Sequence, residues 1–290
     1  MGRNHCRVLG ELAGVEVCGL CDVAPQGEWV VPPFRDYREM LDRVGPGAVI
    51  VAVPTPLHRE VALECIGRGI DLLIEKPVAA GVEEGKAIAA ASRAAGVKVA
   101  VGYIERFNPV VSALRRELTS REILSITFTR VGHNPPRIRN MGILADLAVH
   151  DIDLLRFITG KKILRSCVFG SNKIRASSED NALLSFRLEG DLVAGITTNW
   201  LTPFKRRRIE VATHQAYYEA DLITQELTEF SAYHDDNTFV TRHCLVSKGE
   251  PLHHELNAFV RYLQTGQRGD LATIQDSIET LAVVEQGGES

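Results

Sequence analysis

Long hydrophobic runs are missing from this sequence. No stretch approaches the ~20 consecutive apolar residues that a membrane helix needs, and the first residues lack the charged, apolar and small-residue succession of a secretory signal. The expected address is therefore cytoplasmic, away from any membrane. An excess of charge is missing too: 37 acidic residues stand against 33 basic ones in 290. With no global basic field, nucleic acid and anionic lipid are excluded as expected partners. Cysteines are few and scattered, at 6, 18, 21, 65, 167 and 244. Only Cys18 and Cys21 have a redox-like or metal-like spacing, and they lie in an apolar run without a second pair or a nearby histidine. They read as small buried strand residues. His253 and His254 have no accompanying ligand cluster, so no metal is expected. Internal repeats and low-complexity linkers are absent as well.

What is present is an alternation of two periodicities. Up to about residue 102, short apolar runs alternate with amphipathic helical segments. Gly2 to Leu12 reads as a helix, Val15 to Cys21 as a strand and Asp36 to Arg43 as a short helix. "AVIVAVP" (48–54), "DLLIEKP" and "VKVAVGY" read as strands apolar on both faces, with helices between them. That pattern predicts a parallel sheet covered on both sides. Past about residue 120 the strands become longer and alternate polar with apolar: "EILSITFTRVG", "NALLSFRLEGDLVAGITTNW", "RRRIEVATHQAYYEA". This suits an antiparallel sheet with one face on helices, and the Gly-Asp of "LEGDLV" predicts a hairpin. Helices are expected over "DLAVHDIDLLRFITG" and near 253–265 and 273–286. The fold class is thus α/β, a Rossmann-like parallel sheet followed by an α+β domain with a mostly antiparallel open sheet. The boundary is placed between 118 and 119.

The opening residues "MGRNHCRVLGELAGVEVCGLCD" read like the second half of a dinucleotide-binding unit. Such a unit needs a strand, a glycine-rich turn, a helix whose N-terminus faces the pyrophosphate, and an acid at the end of the next strand. Asp22 follows Gly2 by 20 residues, the spacing to a ribose-binding carboxylate. Gly2 then takes the place of the third glycine of GxGxxG, the one that permits close helix–sheet approach. Arg3 stands where it could face the pyrophosphate or solvent. The first strand and first two glycines are missing, and the expectation is that the natural chain begins roughly ten residues earlier.

"VAVPTPLHREVA", "LLIEKPVA", "GYIERFNP" and "ADLAVHDIDLL" together resemble the Gfo/Idh/MocA family of nicotinamide-dependent oxidoreductases over nearly the whole chain. Within that family, "GYIERFNP", "HDIDLLRFITG" and "NWLTPFKRRRIEV" look most like members that oxidise sugar nucleotides as UDP-N-acetylglucosamine 3-dehydrogenases. The resemblance implies NAD as cofactor, with NADP as the alternative, and a sugar or sugar-nucleotide substrate. It also implies homodimers or homotetramers packed through the open sheet. A carboxylate at Asp22 favours NAD because it repels a 2′-phosphate. A cyclitol or simple sugar dehydrogenase is the second reading, and a non-catalytic ligand-binding homologue the third.

Hydride transfer from a secondary alcohol needs a group to take the hydroxyl proton and a donor or cation for the developing oxyanion. Lys76 ends a parallel strand at the carboxyl edge of the sheet, where ligands of such folds bind, and by resemblance it is the catalytic lysine. Pro77 fixes the turn, with a cis bond implied by the resemblance. Glu75 orients the lysine or contacts the ribose. Asp146 and His150, four apart on a predicted helix, share a face. The resemblance makes them a sugar-orienting carboxylate and the acid–base histidine. Thr55 and His58 match the family's positions beside the cofactor. Arg106, Asn199, Trp200 and Lys205 are candidate substrate contacts, Lys205 as the first of four basic residues that alternate along a strand. Asp151 and Asp153 are assigned to a solvated or capping face.

Overall fold

The computed structural model describes residues 1–26, 29, 31–134, 142–174, 178–232 and 238–287. In chain order the helices and strands begin with α1 (Gly2–Glu11), α2 (Tyr37–Val44), β1 (Ala48–Val51), α3 (His58–Gly67), β2 (Asp71–Glu75), α4 (Val82–Ala95), β3 (Val99–Gly102) and α5 (Pro109–Leu118). Then come β4 (Ile123–His133), α6 (Val149–Thr159), β5 (Ile163–Ser171), β6 (Asn181–Leu188), β7 (Val193–Asn199), β8 (Leu201–Thr213), β9 (Ala216–Asp221), β10 (Glu226–Ser231) and β11 (Thr241–Cys244). Two helices, α7 (Pro251–Thr265) and α8 (Ile274–Gly287), close the described chain.

These elements fall into two compact units. The first is Met1–Ile104 with Glu250–Ile278, the second Glu105–Gly249 with Glu279–Ser290. The division differs from the boundary expected between 118 and 119, because α5 packs on β9 and β10 while α7 packs on α1. A contact between segments so distant in sequence leaves no local signature.

In the first unit β1, β2 and β3 pair in parallel, with Val51 opposite Ile74 and Glu75 opposite Gly102. Leu72, Leu73 and Ile74 are completely buried, as a strand covered on both faces requires. α3 packs on β1 and β2, and α4 on α3. Asp36 starts α2 as expected, its carboxylate accepting from the N–H groups of Arg38 and Glu39. One expected strand is not there. Val15 to Leu20 is without a ladder, and only Cys21 bridges, in parallel, to Phe34. An apolar run becomes a strand only where a second backbone meets its N–H and C=O groups, and among the described residues only Phe34 does. Cys18 is correspondingly exposed rather than buried.

The second unit holds an eight-stranded sheet in the order β11-β10-β9-β8-β4-β7-β6-β5. Every pairing is antiparallel except β4 with β7. The predicted hairpin joins β6 to β7. Gly190 and Asp191 both have positive φ, at 72° and 61°, the signature of a tight turn that matches strand twist. Along β6, Ala182, Leu184, Phe186 and Leu188 point into the core, whereas Leu183 is exposed. α5 and α6 cover the inner face. The other face displays Leu164, Phe169, Leu183 and Val193, each more than half exposed.

A buried ionic cluster fastens α6 to this sheet. Arg130 of β4 donates through Nε and Nη2 to Asp151 at 2.8–3.0 Å and through Nη1 to Glu105 at 2.9 Å. Arg207 adds a second cation to Glu105 at 3.1 Å. Burial opposes ionisation of Glu105, but Arg130 and Arg207 outweigh it and hold the carboxyl below its ordinary range. Beside it Arg106 grips Asp153 at 2.5 and 2.7 Å. Asp151 and Asp153, expected on a solvated or capping face, are thus 2% and 1% exposed. The arginines that balance them lie 21 and 47 residues away, beyond any helical pattern.

Candidate active site

The carboxyl ends of β1 and β2 bring Thr55, His58, Glu75, Lys76 and Pro77 into one corner of the first unit. Lys76 is half-buried and its bond to Pro77 is cis, as the resemblance implied. The turn it begins is held from several sides. Glu75 Oε1 accepts from His5 Nε2 of α1 at 2.7 Å, both side chains being buried. Glu75 therefore reaches back to α1. The Val78 N–H donates to Ser277 Oγ at 3.2 Å, and Ser277 in turn meets the Tyr103 hydroxyl at 3.1 Å. Gly102 faces Glu75 so closely that an added Cβ would lie 3.4 Å from its Cα and Cδ. Thr55 opens a short 3-10 turn after β1 and is half-buried.

His58 is placed differently from the expectation. It is 1% exposed, with Nδ1 2.9 Å from the Pro77 carbonyl and Nε2 2.9 Å from the Val53 carbonyl. Each ring nitrogen thus lies at hydrogen-bond distance from a backbone carbonyl. Burial pushes its pKa down, against the pull of the two carbonyls and Glu75.

At the start of the chain α1 has no side-chain cap at Met1, which leaves first-turn N–H groups for an anion. A Cβ at Gly2 would meet nothing within 4 Å. Asp22 is half-buried, and its Oδ1 accepts from the Ala24 N–H at 2.8 Å. The first-turn N–H groups of α1 and a carboxylate in the same unit are of the kinds that suit the diphosphate and ribose of a dinucleotide. Arg3, expected at the pyrophosphate, lies 4.8 Å from the Trp29 ring centroid and donates to the Gln26 carbonyl.

In the second unit Asp146 lies in a π-helical turn, Leu144–Ala148, which runs directly into α6, where His150 occupies the first turn. Both are half-buried. The sequence spacing predicted an unbroken α-helix; the structure has a widened turn at Asp146, and such turns recur at functional sites. Glu179 holds the turn by accepting from the Ile143 N–H through its carbonyl and from the Leu144 N–H through its carboxylate. Any side chain at Gly142 would overlap that carboxylate, a Cβ lying 1.9 Å from Oε1.

Three of the expected substrate contacts are occupied elsewhere. Arg106 is 5% exposed and paired with Asp153; Trp200 is 3% exposed in the hydrophobic core. Asn199 Oδ1 accepts from the Leu201 N–H at 3.1 Å, closing the β7–β8 connection. Lys205 is exposed on β8. His5, Ser277 and Tyr103 were missed as supports of the lysine turn; nothing at the sequence level pairs His5 with a residue 70 positions away. One further cluster, Glu117, Glu229 and Cys244, has metal-ligand types within reach of one another. Its carboxylates already share Arg242, and Glu229 also takes Arg121, so their charge is met by side chains.

The chain was compared with known proteins. Residues 1–103 match the model of an oxidoreductase family with an NAD-binding Rossmann fold, and residues 122–219 match the C-terminal domain of the same family. An inositol 2-dehydrogenase of an Arthrobacter species is 30% identical over 56% of this chain and 52% of its own length. A scyllo-inositol 2-dehydrogenase (NAD(+)) of Bacillus subtilis is 27% identical over 68% and 62%. The chain thus spans between half and two thirds of the length of these curated relatives. Among solved structures, UDP-N-acetylglucosamine 3-dehydrogenase from Acidithiobacillus ferrooxidans superposes with a TM-score of 0.87, covering 98% of this chain and 92% of that one at 21% identity. That likeness is one of fold. The two domain models follow each other along the chain as its parallel and antiparallel sheets do, and the chain belongs to the Gfo/Idh/MocA family of NAD-binding oxidoreductases.

Proposed function

We propose that this protein oxidises a secondary ring hydroxyl of a sugar or sugar nucleotide, such as C3 of a UDP-N-acetylhexosamine. The observation that carries the reading is the Lys76 turn: a half-buried lysine at the carboxyl end of β2, braced through Glu75, Pro77 and Val78. Bound NAD supplies the hydride acceptor. Oxidation then breaks the carbinol C–H bond and the O–H bond and forms a carbonyl. Lys76 donates to the substrate oxygen and steadies its negative charge as the hydride leaves. The His150 imidazole takes the hydroxyl proton, a task suited to a group whose ordinary pKa is near ~6.5. Asp146 accepts from a neighbouring ring hydroxyl and orients it. Asp22 accepts from the ribose, and Thr55 lines the cofactor side.

The names of the curated relatives favour a second reading, in which the ring is a cyclitol. Both readings predict NADH formation on mixing protein, NAD and polyol, followed by absorbance. UDP-N-acetylglucosamine, glucose, myo-inositol and scyllo-inositol form the first panel. Turnover of the first substrate alone supports the sugar-nucleotide reading, and turnover of the inositols alone replaces it. Lys76→Met is expected to lower kcat at least a hundredfold. Failure of every ring alcohol, with NAD bound, would leave the non-catalytic homologue as the better account.

The apolar outer face of the eight-stranded sheet supports a homodimer or homotetramer. Leu164, Phe169, Leu183 and Val193 form it from three adjacent strands, and exposed apolar side chains gathered on one face are a common mark of an interaction surface.

A further inference from the structure

His58 is 1% exposed, and no part of the proposed reaction uses it. We propose that His58 is a positioning residue for Lys76, its imidazole bracing the carboxyl end of β2 against that of β1 through the carbonyls of Pro77 and Val53. The proposal rests on the reading of Lys76 as catalytic. Neighbouring parallel strands are tied by their ladder only as far as it runs, and here the β1–β2 register ends at Val51 and Ile74. Beyond that pair the β1–β2 register holds no further partners, and the peptide after Lys76 needs another anchor. The ring spans the gap with two contacts of 2.9 Å, both in the normal range for N–H···O bonds. Pro77 has no N–H of its own, so its carbonyl is the only backbone hydrogen-bonding group by which that residue can be held.

The chemistry of this brace differs from that of a space-filling side chain. Both partners are acceptors. A neutral imidazole carries one N–H and satisfies one of them, while the imidazolium donates to both. The grip on the lysine turn therefore depends on the proton count of the ring. The ionisable group that faces it from β2 is Glu75, which is bonded to His5 of α1. On its own helix Arg59 and Glu60 are exposed, and Lys76 belongs to the turn itself. As pH falls through the His58 pKa the ring gains its second donor and both carbonyls are held.

The test uses the whole chain labelled at histidine and lysine nitrogens and followed by NMR. Expected in the wild type is a His58 ring whose N–H signals are protected from exchange and whose second proton arrives below ~6.5. The Lys76 side-chain resonances should move in the same titration. His58→Leu should displace those resonances and lower kcat about ten- to a hundredfold, with the KM for the ring alcohol changed less than about threefold. His58→Gln, which keeps one donor, should fall between. A His58 ring that exchanges and titrates as a solvated histidine overturns the proposal, and so does a His58→Leu protein with unmoved Lys76 resonances. Should His58→Leu not fold, the wild-type titration decides by itself. Should no alcohol be turned over, the function fails separately, because the ring and lysine signals still report the brace.

Discussion

Glu255 offers a sharp test of the physical reasoning. It lies on α7, fully buried, and neither carboxyl oxygen has a hydrogen-bond partner among the described residues. Burial, and then the charge of Glu75, push its pKa well above the ordinary 4.5. The sign of the linkage follows. The unfolded chain releases the proton above 4.5 while the fold retains it, so stability falls as pH rises from there to the pKa in the fold. Each pH unit in that window costs about 1.4 kcal/mol. Glu255→Gln keeps shape and neutrality and abolishes the cost. The variant should match the wild type near pH 4.5 and gain on it by about 3–6 °C in Tm for each pH unit above, given ~2–4 °C per kcal/mol for a chain of this size. Thermal unfolding across pH 4.5 to 8, followed by circular dichroism, measures it. Glu255→Ala serves as control, destabilised at every pH by its cavity. A Glu255→Gln protein that loses stability relative to the wild type as pH rises would show Glu255 ionised and paired, and would refute the reasoning.

Three further outcomes are expected. Arg130→Met leaves Asp151 and Glu105 without their shared cation and should cost about 3–5 kcal/mol at pH 7 by urea unfolding. Because Glu105 is held below its ordinary 4.5, its ionised-state stabilisation is present above that value and is lost as pH falls through the folded pKa, so the Arg130→Met deficit should shrink in acid. Phe169→Lys with Leu183→Lys places like charges on the outer face of β5 and β6; analytical ultracentrifugation should show a shift toward monomer, and an unchanged sedimentation coefficient would remove that face from the assembly. Gly142→Ala should disturb the π-helical turn by displacing Glu179, lowering kcat more than Tm relative to a surface Gly→Ala such as Gly10→Ala, which has open space.

Much of the fold was legible because periodicity reports burial. The apolar runs of β2 and β3 and the alternation along β4, β6 and β8 could be read before any partner was known, since a strand buried on two faces and one buried on one face need different patterns. Punctuation was equally readable at Asp36 and at Gly190-Asp191, where side chain and φ act within a few residues. The segment at 15–20 shows the limit. Its residues have strand character, but a ladder also needs a second backbone, and composition does not report whether one arrives. The Lys76-Pro77 turn and the Asp146–His150 spacing were found by motif, while the contacts that Arg106, Trp200, Arg3 and His58 make within the protein had no signal in their neighbouring residues.

By itself, then, the sequence determined the two kinds of sheet and the helices that cover them, because each is written in residues a few positions apart. Only the tertiary structure decided that Arg106 answers Asp153, that His5 holds Glu75, that His58 spans two carbonyls and that Glu255 lies without a hydrogen-bond partner among the described residues. Those outcomes depend on which atoms meet across as many as 70 residues of chain. A charged side chain looks the same in a sequence whether it meets water, an ion or nothing, and the free energy that distinguishes these cases arises only when folding removes the water.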